Sequence, residues 1–276
     1  KKDLYGHAFV ILALAAASGR VAKTLRGEMD GAAAETIRLV MGEFRDGGGG
    51  FVRYRSRDLR RDLDEKRTQN PVMHLFEALC EAAGAEGLSA GTRDAARQAA
   101  EEVFGFVSQE LYDKRRRCIP EYYDREWRPL GEDDGGRVDI GHQFEWSYLL
   151  RVSPMGQTGE AACMMDALLE FGIENGMNKK TGAVKSDVNS ADSEPIVWWV
   201  QCEAIRAASF AGRACSEAAG RMLSFAREHF WDAECGGFYG SVTPEGRPVN
   251  TDKGSVWKAG YHETGMLLSL SSSHQP

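Results

Sequence analysis

The sequence has no pair of cysteines in C-x-x-C spacing. Its six cysteines, Cys80, Cys118, Cys163, Cys202, Cys215 and Cys235, are scattered. Several sit inside apolar helical runs, where a free thiol behaves as a small hydrophobe. That pattern disfavours a disulfide framework and leads us to expect a reduced, cytoplasmic location. No apolar run reaches the ~18 residues needed to cross a bilayer, so no membrane partner is expected. Positive charge is in deficit, with 34 Lys and Arg against 41 Asp and Glu for a net charge of −7. The balance argues against nucleic acid and anionic surfaces as partners. The short basic run Lys114–Arg117 reads as a solvated face, with a phosphate or partner patch as the alternative. No glycine run carries G-x-x-x-x-G-K-[ST], which leaves phosphate cradling unsupported. Low-complexity tracts, a strict repeat period and a clear linker are all missing. The start, Lys1 to His7, is basic and leads into an apolar stretch. That stretch ends at Gly19-Arg20 with no convincing cleavage site, and we read it as a mature helix rather than a leader.

The 276 residues, 42% of them hydrophobic and 27% charged, suit a globular protein with a large core, read as the single domain 1–276. Apolar residues recur at helical spacing in Leu4, Ala8, Ile11, Leu12 and Ala15, and again in Ala34, Ile37, Met41 and Phe44. Asn70-Pro71 opens another helix, with Asn70 as its N-cap. Further helices are predicted over 92–112, 142–152, 158–175, 197–211, 215–230 and 258–271. Phe51 to Lys66 reads as a charged loop, and Gly236-Gly237-Phe238-Tyr239-Gly240 as a short strand or hairpin. Helix follows helix, so the fold class is all-α. Alternating long and short connections suggest stacked helical hairpins, in a solenoid or closed into a toroid.

Polar residues then stand out at helix starts. His142 and Glu145 lie three apart in D-I-G-H-Q-F-E-W-S-Y-L-L, on one face of an otherwise apolar helix. His74 and Glu77 repeat that spacing. His262 opens the last helix beside Glu263, which should point elsewhere and be exposed. The positive end of a helix dipole favours a neutral imidazole, and two such rings make an acid/base pair. Each histidine alone could equally be a cap or a core hydrogen-bonder. A metal site is the sharper competitor, but the order His-x-x-Glu is reversed from that of di-iron bundles, and no metal is expected. A Cys–His nucleophile is not supported by spacing. In Trp198-Trp199-Val200-Gln201-Cys202-Glu203-Ala204, aromatics with Gln201 and Glu203 suit a sugar, although Trp198 and Trp199 could also be core. Trp127, in a long loop, is read as lining a mouth. His7, His229 and His274 receive no catalytic role, the last two looking like surface residues.

These stretches together resemble the N-acylglucosamine 2-epimerase superfamily, which includes cellobiose 2-epimerases and mannose- and sulfoquinovose-type aldose–ketose isomerases. The resemblance rests on K-D-L-Y-G-H-A-F (2–9), N-P-V-M-H-L-F-E-A (70–78), P-E-Y-Y-D-R-E-W (120–127), G-H-Q-F-E-W (141–146), W-W-V-Q-C-E-A (198–204) and W-K-A-G-Y-H (257–262). It implies an (α/α)6 barrel and cofactor-independent proton transfer at the carbon beside a sugar's carbonyl; we expect the sugar to be an unphosphorylated hexose or its N-acyl or glycosyl relative. It implies that His142 and His262 are the acid/base pair, that His74 binds substrate and steadies the enediol, and that Glu145 assists ring opening or orients the sugar. Asn70 and Trp198 are then sugar contacts. Trp-Trp-x-Gln-x-Glu-Ala looks closer to the epimerases, and Pro-Glu-Tyr-Tyr-Asp closer to the mannose isomerases. The resemblance also implies three or four further N-terminal helices, with an arginine that contacts the reacting oxygens. The chain is therefore expected to be incomplete at that end relative to the family. A second chain, as in a homodimer, is one way to cover the gap.

Two other functions remain open on the sequence. One is a non-catalytic sugar- or protein-binding member of the same fold. The other is an α/α-barrel glycoside hydrolase, with Asp124 and Glu145 as its two carboxylates.

Overall fold

The structure is a computed structural model that describes residues 1–157 and 159–272; His274 lies outside them. Contacts divide the chain into two compact units. One comprises 1–114, 119–136 and 153–155, the other 115–118, 137–152 and 156–276.

In the first unit, strand β1 (Lys2–Asp3) leads into α1 (Leu4–Ser18). The Asp3 carboxylate accepts the Tyr5 N–H at 3.1 Å, satisfying an amide that the helix itself leaves unpaired. Helix α2 (Lys23–Glu43) starts at Lys23 rather than Gly31. Its first turns are polar and exposed, so they carry no apolar stripe to betray them. The segment read as a loop contains β2 (Tyr54–Arg55), which pairs antiparallel with β1. Strand β3 (Arg67–Thr68) pairs with β4 (Tyr122–Tyr123) and delivers the chain into α3 (Asn70–Gly84). Asn70 is the first helical residue and not the cap; Gln69 holds the cap position. The sheet sets that entry, because buried Glu121 accepts from Thr68 Oγ1 at 2.9 Å and from Gln69 Nε2 at 2.8 Å. Helix α4 (Ala90–Phe106) is capped by Ser89 and closes in a π-helical turn, Val107–Leu111. Helix α1 packs on α2 and α3, and α3 packs on α4.

In the second unit, α5 (Ile140–Val152) packs on α6 (Gly159–Gly176) and α7 (Trp198–Phe210). Helix α7 packs in turn on α8 (Ser216–Phe225) and α9 (Tyr261–Ser272). Every residue of α5 from Ile140 to Ser147 is buried, as a helix wrapped by protein on all sides must be. A three-stranded antiparallel sheet joins β5 (Ile196–Val197), β6 (Ser241–Val242) and β7 (Pro248–Asn250). The strand expected near Gly236–Gly240 thus falls just beyond it, with Phe238 forming a bridge to Trp231. Helix α9 begins at Tyr261, not Lys258, because Gly260 is left-handed at φ 80°.

Among the described residues, α6 and α8 are followed by the same turn, and α2 by a relative of it one residue shorter. After α2, α6 and α8, the side chains of Asp46, Asn178 and Asp232 each accept backbone N–H groups from two residues further on. The partners are Gly48 and Gly50, Lys180 and Thr181, and Glu234 and Cys235, at 2.9–3.2 Å. A left-handed glycine follows each, at Gly49, Gly182 and Gly236. The helical-hairpin repeat is therefore written in its turns, while the helices keep no common period.

Candidate active site

The second unit gathers most of the polar residues singled out above. Asp139, just ahead of α5, accepts the His142 N–H at 3.3 Å. His142 is 6% exposed, in the first turn, and its ring lies against Trp199 with centroids 5.1 Å apart. The other neighbour of Trp199 is His262, at 5.5 Å. One indole from α7 therefore touches two imidazoles, one from α5 and one from α9. Gly141 makes room for that indole, since a Cβ there would stand 2.3 Å from the Trp199 ring. Gly141→Ala is expected to cost about 1–3 kcal/mol by overpacking and to displace the indole; denaturant unfolding and tryptophan fluorescence check both.

His262 is oriented by a partner on α7. Its Nδ1–H donates to Glu203 Oε1 at 2.8 Å, which leaves Nε2 as the basic nitrogen of the neutral ring. Burial disfavours the charged ring, but the Glu203 hydrogen bond and the charges of Glu203, Glu145 and Glu263 outweigh it. The net effect holds the His262 pKa above its ordinary value. Glu203 is fully buried, and its second oxygen lies 3.5 Å from Arg206 Nη1. The Glu203 oxygens thus face the imidazole and the guanidinium. Glu145, one turn on from His142, is 1% exposed. Its carboxylate, that of Glu203 and the His262 ring bring ligand atoms within 4.8 Å of one another, close enough to hold a cation. Arg206 already supplies positive charge there.

Trp199 is the residue that sequence reasoning undervalued. It lies four before Glu203 and so shares that helical face, which Trp198 does not. Trp198 is half-buried, with Lys258 Nζ 5.2 Å from its ring. Gln201 is no sugar contact: its side chain bonds the Val184 N–H and the Gly182 and Met222 carbonyls. Glu263 is half-buried rather than exposed. His229 is half-buried too, seated against Phe225. Burial pushes the thiols of Cys202 and Cys80 up, Cys80 to about 12, so neither is a thiolate nucleophile near neutral pH.

The first unit carries the rest. His74, 4% exposed on α3, shares a 3.0 Å Nδ1–Oε2 hydrogen bond with Glu77 and sits against the rings of Tyr5 and Phe9. Asn70 is half-buried in the first turn of the same helix. Trp127 does not line a mouth. It is 4% exposed, packs against Phe106 and Tyr123, and donates from Nε1 to Asp46 at 2.6 Å. Its left-handed backbone, φ 63°, turns the indole inward over Gly50. Trp127→Ala is expected to lose about 3–5 kcal/mol of stability, with sugar affinity per folded molecule unchanged; calorimetric unfolding beside a binding titration checks it. Asp124 is a turn residue, its Oδ1 accepting the Glu126 and Arg128 N–H groups at 2.9 Å, and it is not half of a hydrolase pair. Among the described residues no helix is long and apolar enough to cross a membrane.

The family model for N-acylglucosamine 2-epimerase matches residues 1–265. A mannose-6-phosphate isomerase from Rhizobium meliloti (strain 1021) is 30% identical over 181 residues, 63% of this chain and 43% of that protein. A D-mannose isomerase from Thermobifida fusca is 29% identical over 230 residues, 77% of this chain and 54% of that protein. The chain thus spans about half the length of the curated relatives it matches. The crystal structure of a D-mannose isomerase superposes with a TM-score of 0.84 at 20% identity, covering 99% of this chain and 72% of that one. That likeness shows the fold, an all-α fold of the (α/α)6-barrel class.

Proposed function

Since the chain belongs to the N-acylglucosamine 2-epimerase family, we propose that it is the catalytic portion of a carbohydrate 2-epimerase or aldose–ketose isomerase. The observation that supports this reading is the packing of both His142 and His262 against the same Trp199 indole. In the open-chain sugar, the hydrogen on carbon 2 lies beside the carbonyl. One neutral imidazole takes it as a proton, and the electron pair moves into the carbonyl to give an enediolate. The second imidazole, protonated, returns a proton to the opposite face of carbon 2, which is epimerisation. Return to carbon 1 instead, by the ring that removed the proton and with the hydroxyl proton passing from oxygen 2 to oxygen 1, gives the ketose. Trp199 offers an apolar face for the sugar carbons while the polar groups around it address the hydroxyls.

Glu203 keeps the His262 Nδ1–H donated away from the substrate, so that Nε2 is the working nitrogen. Glu145 is well placed on α5 to polarise a hydroxyl during ring opening. His74, held by Glu77 through the same Nδ1–carboxylate arrangement, keeps the substrate-binding and enediol-steadying role that the family resemblance implies. Asn70 and Trp198 remain the proposed sugar contacts. The steps use side chains alone and call on no cofactor or metal. The substrate class is an unphosphorylated hexose or its N-acyl or glycosyl relative, and the cytoplasm is the proposed location. The test is a proton NMR screen of D-mannose, N-acetyl-D-mannosamine and cellobiose in deuterated water. Loss of the carbon 2 proton signal, with growth of an epimer or ketose, supports the reading; binding without exchange for every sugar overturns it.

A further inference from the structure

Glu203 has two claimants. His262 donates to one oxygen at 2.8 Å, and the Arg206 guanidinium stands 3.5 Å from the other. Arg206 is held by more than that charge. Its Cζ lies 3.8 Å over the Tyr148 ring and its Nε donates to Ser269 Oγ at 3.3 Å. It also lies against Gly265, where a Cβ would stand 3.2 Å from Cζ and Nη1. The missing side chain at position 265 is what lets a cation from α7 lie flat against α9, one turn beyond His262. A planar guanidinium stacked on a ring and hydrogen-bonded at Nε is pre-organised and cannot lose its proton.

We propose that Arg206 is a positioning residue for the proton transfer: it shares the Glu203 carboxylate with His262 and so limits how firmly Glu203 holds the proton of that imidazole. This rests on the acid/base reading of His262 above. The other groups facing the pair are Glu145 from α5, with His142 on the same Trp199 indole, and Glu263 on α9, whose charge is partly met by Lys258. Three carboxylates thus surround one imidazole, and Arg206 is the cation in contact with the carboxylate that bonds it. An imidazole held permanently protonated could return a proton to carbon but never remove one. Dividing Glu203 between two partners keeps His262 able to do both.

The direct measurement is the NMR titration of His262 Cε1 in the full-length chain, wild type against Arg206→Ala and Arg206→Lys. Arg206→Ala is expected to raise the His262 midpoint by at least half a pH unit, with Arg206→Lys falling between. In turnover, the acidic limb of kcat/KM moves to higher pH by the same amount, and kcat at pH 7 falls about 3- to 10-fold with KM little changed. A midpoint that stays put or falls in Arg206→Ala overturns the proposal. Gly265→Ala, which crowds the guanidinium from the opposite side, gives the same reading should Arg206→Ala not fold. The titration needs no turnover, so its failure is separable from failure of the proposed reaction, which the deuterium-exchange screen of wild-type protein reports.

Discussion

Replacing either His142 or His262 with alanine is expected to slow solvent exchange of the carbon 2 proton by about 10²- to 10⁴-fold, the range over which a placed acid or base acts. His142 is buried and His262 half-buried, both against one indole, at 5.1 and 5.5 Å. Binding of a non-reacting hexitol should persist within a few fold. The two variants differ in what each leaves behind. An epimerase that loses its proton-returning histidine still exchanges at carbon 2, slowly and with retention. Exchange kept in one variant and lost in the other would instead identify an isomerase that works through a single histidine. Deuterium NMR of the recovered sugar, read for position and configuration, separates these outcomes. Exchange unchanged in both variants contradicts the assignment.

The second large effect is expected from Glu203→Gln. The amide oxygen can still accept from His262 Nδ1, but the bond is no longer to a carboxylate and the charge is gone, so both Glu203 influences that hold the His262 pKa up are weakened or lost. The His262 midpoint is expected to fall, taking the acidic limb of the pH–rate profile to lower pH. Stability should change as well. A group whose folded pKa is raised stabilises the fold fully below its unfolded value, near pH ~6.5, and loses that contribution as pH rises through the folded value. The excess stability of wild type over Glu203→Gln should therefore be largest in mild acid and shrink above neutrality. Breaking a buried ion pair on one side typically costs about 3–5 kcal/mol. Glu203 is fully buried and Arg206 nearly so, which puts this site in that range. Chemical unfolding from pH 5 to 9 measures both the size and the slope.

How much of this was legible in the chain depends on the distance over which each contact acts. His142 and Glu145 share a helix, and a spacing of three puts them on one face whatever else happens. The helical pattern of α1 and α3 was equally local. The partner that tunes His262 is 59 residues away on another helix, and no periodicity marks it. Trp198 and Trp199 look alike in sequence; only the register of α7 decides that the second faces both imidazoles. Trp127 was misread for the same reason. A tryptophan in a long loop looks exposed until Asp46, 81 residues earlier, is found accepting its indole N–H. The start of α2 escaped because its first turns bury nothing. The turn repeat escaped because two different residue strings, K-K-T-G and A-E-C-G, adopt one hydrogen-bonded turn.

The central claim is that His142 and His262 address carbon 2 from its two faces. A crystal structure with a bound hexitol, the reduced open-chain relative of a hexose, tests it most directly. The account predicts carbon 2 within about 3.5 Å of both imidazoles, on opposite sides, with the chain of carbons along Trp199. A hexitol reached by only one of the two rings, or seated away from Trp199, would contradict it.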